Sequence, residues 1–142
     1  MTGFDTIEHA CRTDVGLRRS HNQDAYAIDT AGSDAERFRD HGHLFLVADG
    51  MGGHAVGEKA SAKAVRDIPH TYHKYVPDGP DTALRRAFVE TNAGIFAIGQ
   101  ENPEFRGLGT TASALLLRTE ARGSRTLAIA ACTVCATGKS TN

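Results

Sequence analysis

Residues 44–61, "LFLVADGMGGHAVGEKAS", run a hydrophobic block into one carboxylate, three glycines and a histidine, then into good helix formers. The block "HLFLVAD", 43–49, is nearly continuous apolar sequence, which predicts a central strand covered on both faces. After the glycines, "GEKASAKAVRDI", 57–68, places Ala60, Ala64 and Val65 near one side of a helix. An acid at the end of such a strand can hold a metal, act as an acid or base, or cap the next helix. Asp-Gly is also a common turn signal, so the pair alone leaves all of these open.

Working outward, residues 9–15, "HACRTDV", and 24–29, "DAYAID", alternate loosely enough to suit strands, with "GLRRSHNQ" as the turn between them. "AGSDAERFRDHG", 31–42, is polar and glycine-bounded and reads as a loop. "PHTYHKYVPDGPD", 69–81, carries three prolines and is expected to end the first helix. Asp81 can cap the next one, in which Leu84, Ala87, Phe88, Ile95 and Ile98 keep helical spacing. Residues 107–118 and 124–131 form a strand pair joined by "TEARG". Strands, two helices and strands again predict an α+β layered domain rather than alternating βαβ units.

Composition limits the function. The 142 residues fit one domain, and 40% hydrophobic content can supply a core. With 16 basic and 17 acidic residues the net charge is -1, which gives no electrostatic footprint for nucleic acid. No apolar run approaches the ~20 residues of a membrane span, and the N-terminus lacks signal-peptide character, so a cytoplasmic location without membrane partners is expected. Cys11, Cys132 and Cys135 are an odd number without an export signal, and they read as ordinary thiols.

Several companions of Asp49 narrow the choice. Gly50, Gly52 and Gly53 leave the backbone open to close approach by a ligand or a metal-bound water. Hard cations such as Mg²⁺ or Mn²⁺ take this mixture of carboxylate, carbonyl and water oxygens. Upstream, "RRSHNQD" places Arg19, a phosphate-type donor, five residues before a second carboxylate, Asp24. A cation together with an arginine suggests phosphoryl chemistry.

The stretches "TDVGLRRSHNQDAY", "LFLVADGMGGHAVGEKAS" and "GLGTTASALLL" resemble, in order, the first three motifs of the bacterial branch of the PP2C-type, metal-dependent serine/threonine protein phosphatases. The resemblance covers residues ~10 to ~128 and is carried by the motifs together rather than by any one of them. It implies a sandwich of two mostly antiparallel sheets with helices outside each, in α-β-β-α layers, and a binuclear Mn²⁺ or Mg²⁺ centre at one end. The family's metal-bridging aspartate falls on Asp49, its carbonyl ligand on Gly50, its second-shell carboxylate on Asp24 and its phosphate-binding arginine on Arg19. Where some relatives carry an acid just before Asp24, this chain has Gln23. The implied reaction is hydrolysis of phosphoserine or phosphothreonine in one in-line step by a hydroxide bridging the cations. The implied partners are phosphoproteins, with a serine/threonine kinase and its substrates. His54 lies four residues beyond the histidine of relatives outside the bacterial branch, and a structural role at a helix start is expected of it. "GLGTT" is read as packing and strand-start hydroxyls.

After "LAIA" the family continues with sequence like "HVGDSRVYRLRDG" and later adds two metal-binding aspartates, whereas here the chain reads "ACTVCATGKSTN". "CTVC" has half-site spacing for zinc without two further ligands nearby, and "TGKS" lacks the first glycine of a phosphate loop, where Thr133 stands. A one-base shift of reading frame from Ile129 onward permits S-R-V-Y-R-L-R-D-G-K, the family's next motif. The expectation is therefore an N-terminal phosphatase portion over residues 1–130 and an out-of-frame tail over 131–142. The chain alone is expected to be incomplete and inactive. The alternatives are a non-catalytic remnant, a phosphoprotein-binding pseudophosphatase, or an unrelated metal module using Asp24, Asp49 and His54.

Overall fold

The computed structural model describes residues 7–53, 56–119 and 125–135. Its elements are β1 (Asp24–Asp29), α1 (Ala35–His41), β2 (His43–Met51), α2 (Val56–Tyr75), α3 (Pro80–Glu101), β3 (Gly109–Thr119) and β4 (Arg125–Cys135). Single 3₁₀ turns at Val76–Asp78 and Pro103–Phe105 flank α3. The four strands form one antiparallel sheet in the order β1-β2-β3-β4.

Alternation along the strands decides which face is covered. Leu44, Leu46 and Ala48 on β2, and Ala112, Ala114 and Leu116 on β3, are all buried and join one core with Ala60, Ala64, Ile68 and Tyr72 of α2 and Leu84, Ala87, Phe88 and Ile95 of α3. The intervening residues look the other way. Val47 is 62% exposed and Tyr26 42% exposed. β2 is thus central, as its apolar run predicts, but it is covered on one face only among the described residues. The α+β class and the 109–119/125–135 hairpin match expectation; the "TEARG" connection lies largely outside the described residues. A second sheet of a sandwich is not among those described.

Four expectations are corrected. Residues 9–15 form no strand. They lie along the open face of the sheet, where His9 meets the Phe45 ring edge-on at 5.9 Å. Their polar groups bond locally instead of in a ladder: Asp14 Oδ1 accepts from Gly16 N at 2.8 Å, and Asn22 Nδ2 donates to Thr13 Oγ1 at 2.7 Å. Residues 31–42, read as a loop, contain α1. Asp34 caps it by accepting from Arg37 N at 3.0 Å, Gly42 ends it at φ 72° with its N–H on Phe38 O at 2.8 Å, and Phe38 pins it by burial.

Pro69 does not end α2, which continues to Tyr75. Removing one i→i−4 bond costs about 3 kcal/mol, yet the buried stripe continues through Thr71 and Tyr72, and Tyr72 also donates its hydroxyl to His41 O at 2.7 Å. Finally, α3 begins two residues earlier than an Asp81 cap would dictate. Gly79 is the N-cap, Pro80 takes the first helical position, and Asp81 sits in the first turn, where its charge favours the helix dipole.

Candidate functional site

The antiparallel register puts the two predicted carboxylates together. Asp24, the first residue of β1, is the Cα partner of Asp49 near the end of β2, and Asp49 is in turn paired with Thr111 of β3. Directly opposed residues of an antiparallel pair share a face. Asp24, Asp49 and Thr111 therefore form one exposed polar row at the end of the open sheet face. Asp49 N donates to Thr111 Oγ1 at 3.3 Å, so "GLGTT" does supply a hydroxyl beside the key acid. The Asn22 side chain accepts from Asp24 N at 3.0 Å and fixes the start of β1.

Two open clefts meet at Asp49. One, of about 600 Å³, is lined by Arg18, Arg19, Ser20, His21 and Gln23 with Asp49 and residues 50–52. The other, of about 590 Å³, is lined by Asp24, Asp49, Thr111 and Ser113 together with Cys11, Arg12, Thr13 and Asp14. Arg19 and Asp24 thus lie in different clefts and share only Asp49. The turn after Asp49 is compact: a Cβ on Gly50 would lie 2.1 Å from Gly57 O, so the start of α2 rests on the backbone of the turn. His54 lies outside the described residues.

The donor set suits part of a hydrated hard-cation shell. Two exposed carboxylates at one strand end, beside a glycine turn, match the way Mg²⁺ is held through one or two carboxylates with waters filling the remainder. Among the described residues no group of three His, Cys, Asp or Glu side chains could hold a metal ion. Arg18 and Arg19, adjacent cations, share a cleft with Asp49 and are the donors there that suit a phosphate.

Sequence reasoning singled out Asp24, Asp49, Arg19 and the glycine turn, which the structure gathers around Asp49. It missed Arg18 and Asn22, though both stand inside the motif that it quoted, and it left Gln23 without a role. A second polar cluster lies at the opposite strand end: His73 Nε2 bonds Asp29 Oδ2, His73 Nδ1 meets His41 Nδ1 at 3.0 Å, and Arg37 pairs with Asp29 at 2.9 Å.

No protein-family profile matches the chain. Over 111 residues it is 35% identical to the serine/threonine protein phosphatase PstP of Mycobacterium tuberculosis, a match covering 78% of this chain and 19% of PstP. Over 113 residues it is 34% identical to a protein phosphatase 2C-type protein of Streptococcus pyogenes, covering 75% of this chain and 41% of that protein. A crystal structure of a bacterial serine phosphatase superposes with a TM-score of 0.67 at 26% identity, covering 85% of this chain and 51% of that one. The chain thus spans between about a fifth and a half of these three proteins. Sequence, fold and the placement of the shared motifs agree: the chain belongs to the bacterial PP2C-type serine/threonine protein phosphatases and spans a part of their fold.

Proposed function

We propose that this chain carries the phosphate-binding and bridging-carboxylate half of a phosphoserine/phosphothreonine phosphatase site, and that by itself it binds phosphoprotein without turning it over. The observation that supports this most is the sharing of one cleft by Arg19 and Asp49, with Asp24 as the strand partner of Asp49. Arg19 orients a phosphate by donating to two of its oxygens and offsets its charge. Asp49 directs a carboxylate at the same space, and Asp24 adds negative charge from behind. Mn²⁺ or Mg²⁺, when bound there, supplies a nucleophile of lowered pKa and neutralises the phosphoryl group. Asp49 and the Gly50 carbonyl, with Asp24 supplying charge but no ligand, hold one hydrated ion weakly, because each missing carboxylate removes a ligand and an offsetting charge. That shortage favours the non-catalytic reading for the 142 residues over a working hydrolase.

The remaining parts of the reading follow from it. Phosphoproteins, and a serine/threonine kinase acting on the same substrates, are the partners, and the cytoplasm is the location. No helix among the described residues is long and apolar enough to cross a membrane. Residues 1–130 form the phosphatase portion and 131–142 the aberrant tail. β4 nonetheless runs to Cys135, with Ala131 opposite Ser113 and Cys135 opposite Gly109. Ladder bonds come from the backbone, so an out-of-frame segment can extend a strand whatever side chains it carries. Resequencing around codon 129 tests the boundary, and an intact frame there removes it.

Binding of a phosphothreonine peptide to the chain, with and without millimolar Mn²⁺, tests the site. Expected is weak binding that Arg19→Ala abolishes; equal binding by the variant contradicts the assignment.

A further inference from the structure

Gln23 touches the turn after Asp49 at two points. Its carbonyl accepts from Gly50 N at 2.9 Å, and its side-chain Nε2 donates to Gly52 O, also at 2.9 Å. The same residue is therefore hydrogen-bonded to the first and third residues of the segment that follows Asp49. Gly57, in the first turn of α2, closes the arrangement from below: a Cβ there would sit 2.7 Å from Met51 N and 3.0 Å from Gln23 Cδ. The turn is thus gripped between the Gln23 carboxamide and the start of α2. One residue later, Asp24 N is held by Asn22 Oδ1 at 3.0 Å, and Asp24 is the register partner of Asp49. The chain at 22–24 consequently fixes the backbone of Asp24 and the glycine turn after Asp49 relative to one another.

The chemistry at position 23 matters. A carbonyl oxygen accepts only, so the group facing Gly52 O must donate, and an amide does so without charge. A carboxylate of the same shape would set two acceptors against each other and would free the turn. An amide contributes no charge toward a cation either, so its part in the site is mechanical.

We propose that Gln23 is a positioning residue, holding the Gly50–Gly53 turn so that the Gly50 carbonyl and the Asp49 carboxylate keep a fixed relation across the Arg19 cleft. The proposal rests on the cation and phosphate reading of that cleft. Its test uses the 142-residue chain and two variants, Gln23→Met, which keeps the length and loses the donor, and Gln23→Glu, which keeps the shape and reverses the polarity. Amide hydrogen exchange at residues 50–53 is measured in EDTA, and Mn²⁺ affinity is measured from the free-ion EPR signal. Loss of one hydrogen bond predicts exchange faster by about fivefold to tenfold in both variants, and Mn²⁺ affinity weaker by a similar factor in Gln23→Met, with the melting midpoint nearly unchanged. A merely structural residue would shift the melting point and leave Mn²⁺ affinity in the folded protein alone. Asp49→Ala is the control, expected to lose Mn²⁺ binding with exchange at 50–53 near that of the parent. Parental exchange rates and parental Mn²⁺ affinity in Gln23→Met would overturn the proposal. Faster exchange in a parent series that binds no Mn²⁺ at all would remove the cation reading, leaving Gln23 as a turn lock only, which also overturns the proposal as stated but identifies the reading as the part that failed.

Discussion

Asp49 is placed by three independent local facts: a buried strand behind it, a threonine hydroxyl on its own N–H, and a glycine turn packed too tightly for any side chain at Gly50. Asp49→Ala is therefore expected to fold as the parent does while losing Mn²⁺ binding, since the residue is exposed and its carboxylate bonds to no neighbour among the described residues. Gly50→Ala should do the reverse, because its added methyl would lie 2.1 Å from the Gly57 carbonyl and must displace α2. A melting curve for each variant separates the two effects. Asp49, Asp24 and Arg19 stood out as candidates because their residue types and spacing are unusual within two short stretches, and the strand register and one cleft bring them together. The role of Gln23 did not stand out, since its partner Gly52 lies 29 residues away, and only the strand register brings them together.

At the scale of elements, propensity explains what packing does not override. α3 was readable from its apolar spacing and β1 from its alternation. α1 was hidden by polar composition, although Asp34 and Gly42 stand where an N-cap and C-terminal glycine belong. The continuation of α2 past Pro69 was hidden because the burial of Tyr72 and its bond to His41 O are tertiary facts; that burial also pushes the Tyr72 phenol up to about 12. The joint of α1, β1 and α2 has a pH consequence. Burial, then the neighbouring His73 charge, lowers the His41 pKa from its ordinary 6.5, so the unfolded chain binds more protons than the fold below that value, and stability falls as pH drops through it. Asp29 has its pKa lowered from 3.8, chiefly by the His73 hydrogen bond, so its stabilisation is present above 3.8 and is lost as pH falls through the lowered value. The melting midpoint should decline between pH 7 and 5.5 through His41 and again at strongly acid pH through Asp29. His41→Ala should flatten the first decline only. A midpoint that is level from pH 7 to 5.5, or one that falls equally in His41→Ala, would contradict this account of the joint.

Across the whole molecule, the sheet is asymmetric. One face is sealed by α2 and α3, and the other shows Tyr26 and Val47 to solvent beside the partly buried Ile28, Phe45 and Leu115. An apolar sheet face of this kind invites self-association. Val47→Lys should raise solubility in a sedimentation assay with a stability change within about 0.5 kcal/mol, whereas Leu46→Ala, on the sealed face at 2% exposure, should cost about 2–5 kcal/mol. Unchanged association in Val47→Lys would show that another surface drives it. The amphipathic logic of β2 was only half legible, because a continuous apolar run predicts two covered faces and composition alone cannot say which cover is supplied.

The same asymmetry bears on activity, since the acidic row of Asp24 and Asp49 stands at the end of that open face with two carboxylates and no third metal-binding side chain among the described residues. Phosphate release from a phosphothreonine peptide in millimolar Mn²⁺, run on the purified chain beside its Asp49→Ala variant, tests this most directly. The account predicts no release above the variant's background, together with peptide binding that depends on Arg19. Release at rates of about 1 s⁻¹ or more, abolished by Asp49→Ala, would show that the chain completes its own site and would contradict the account.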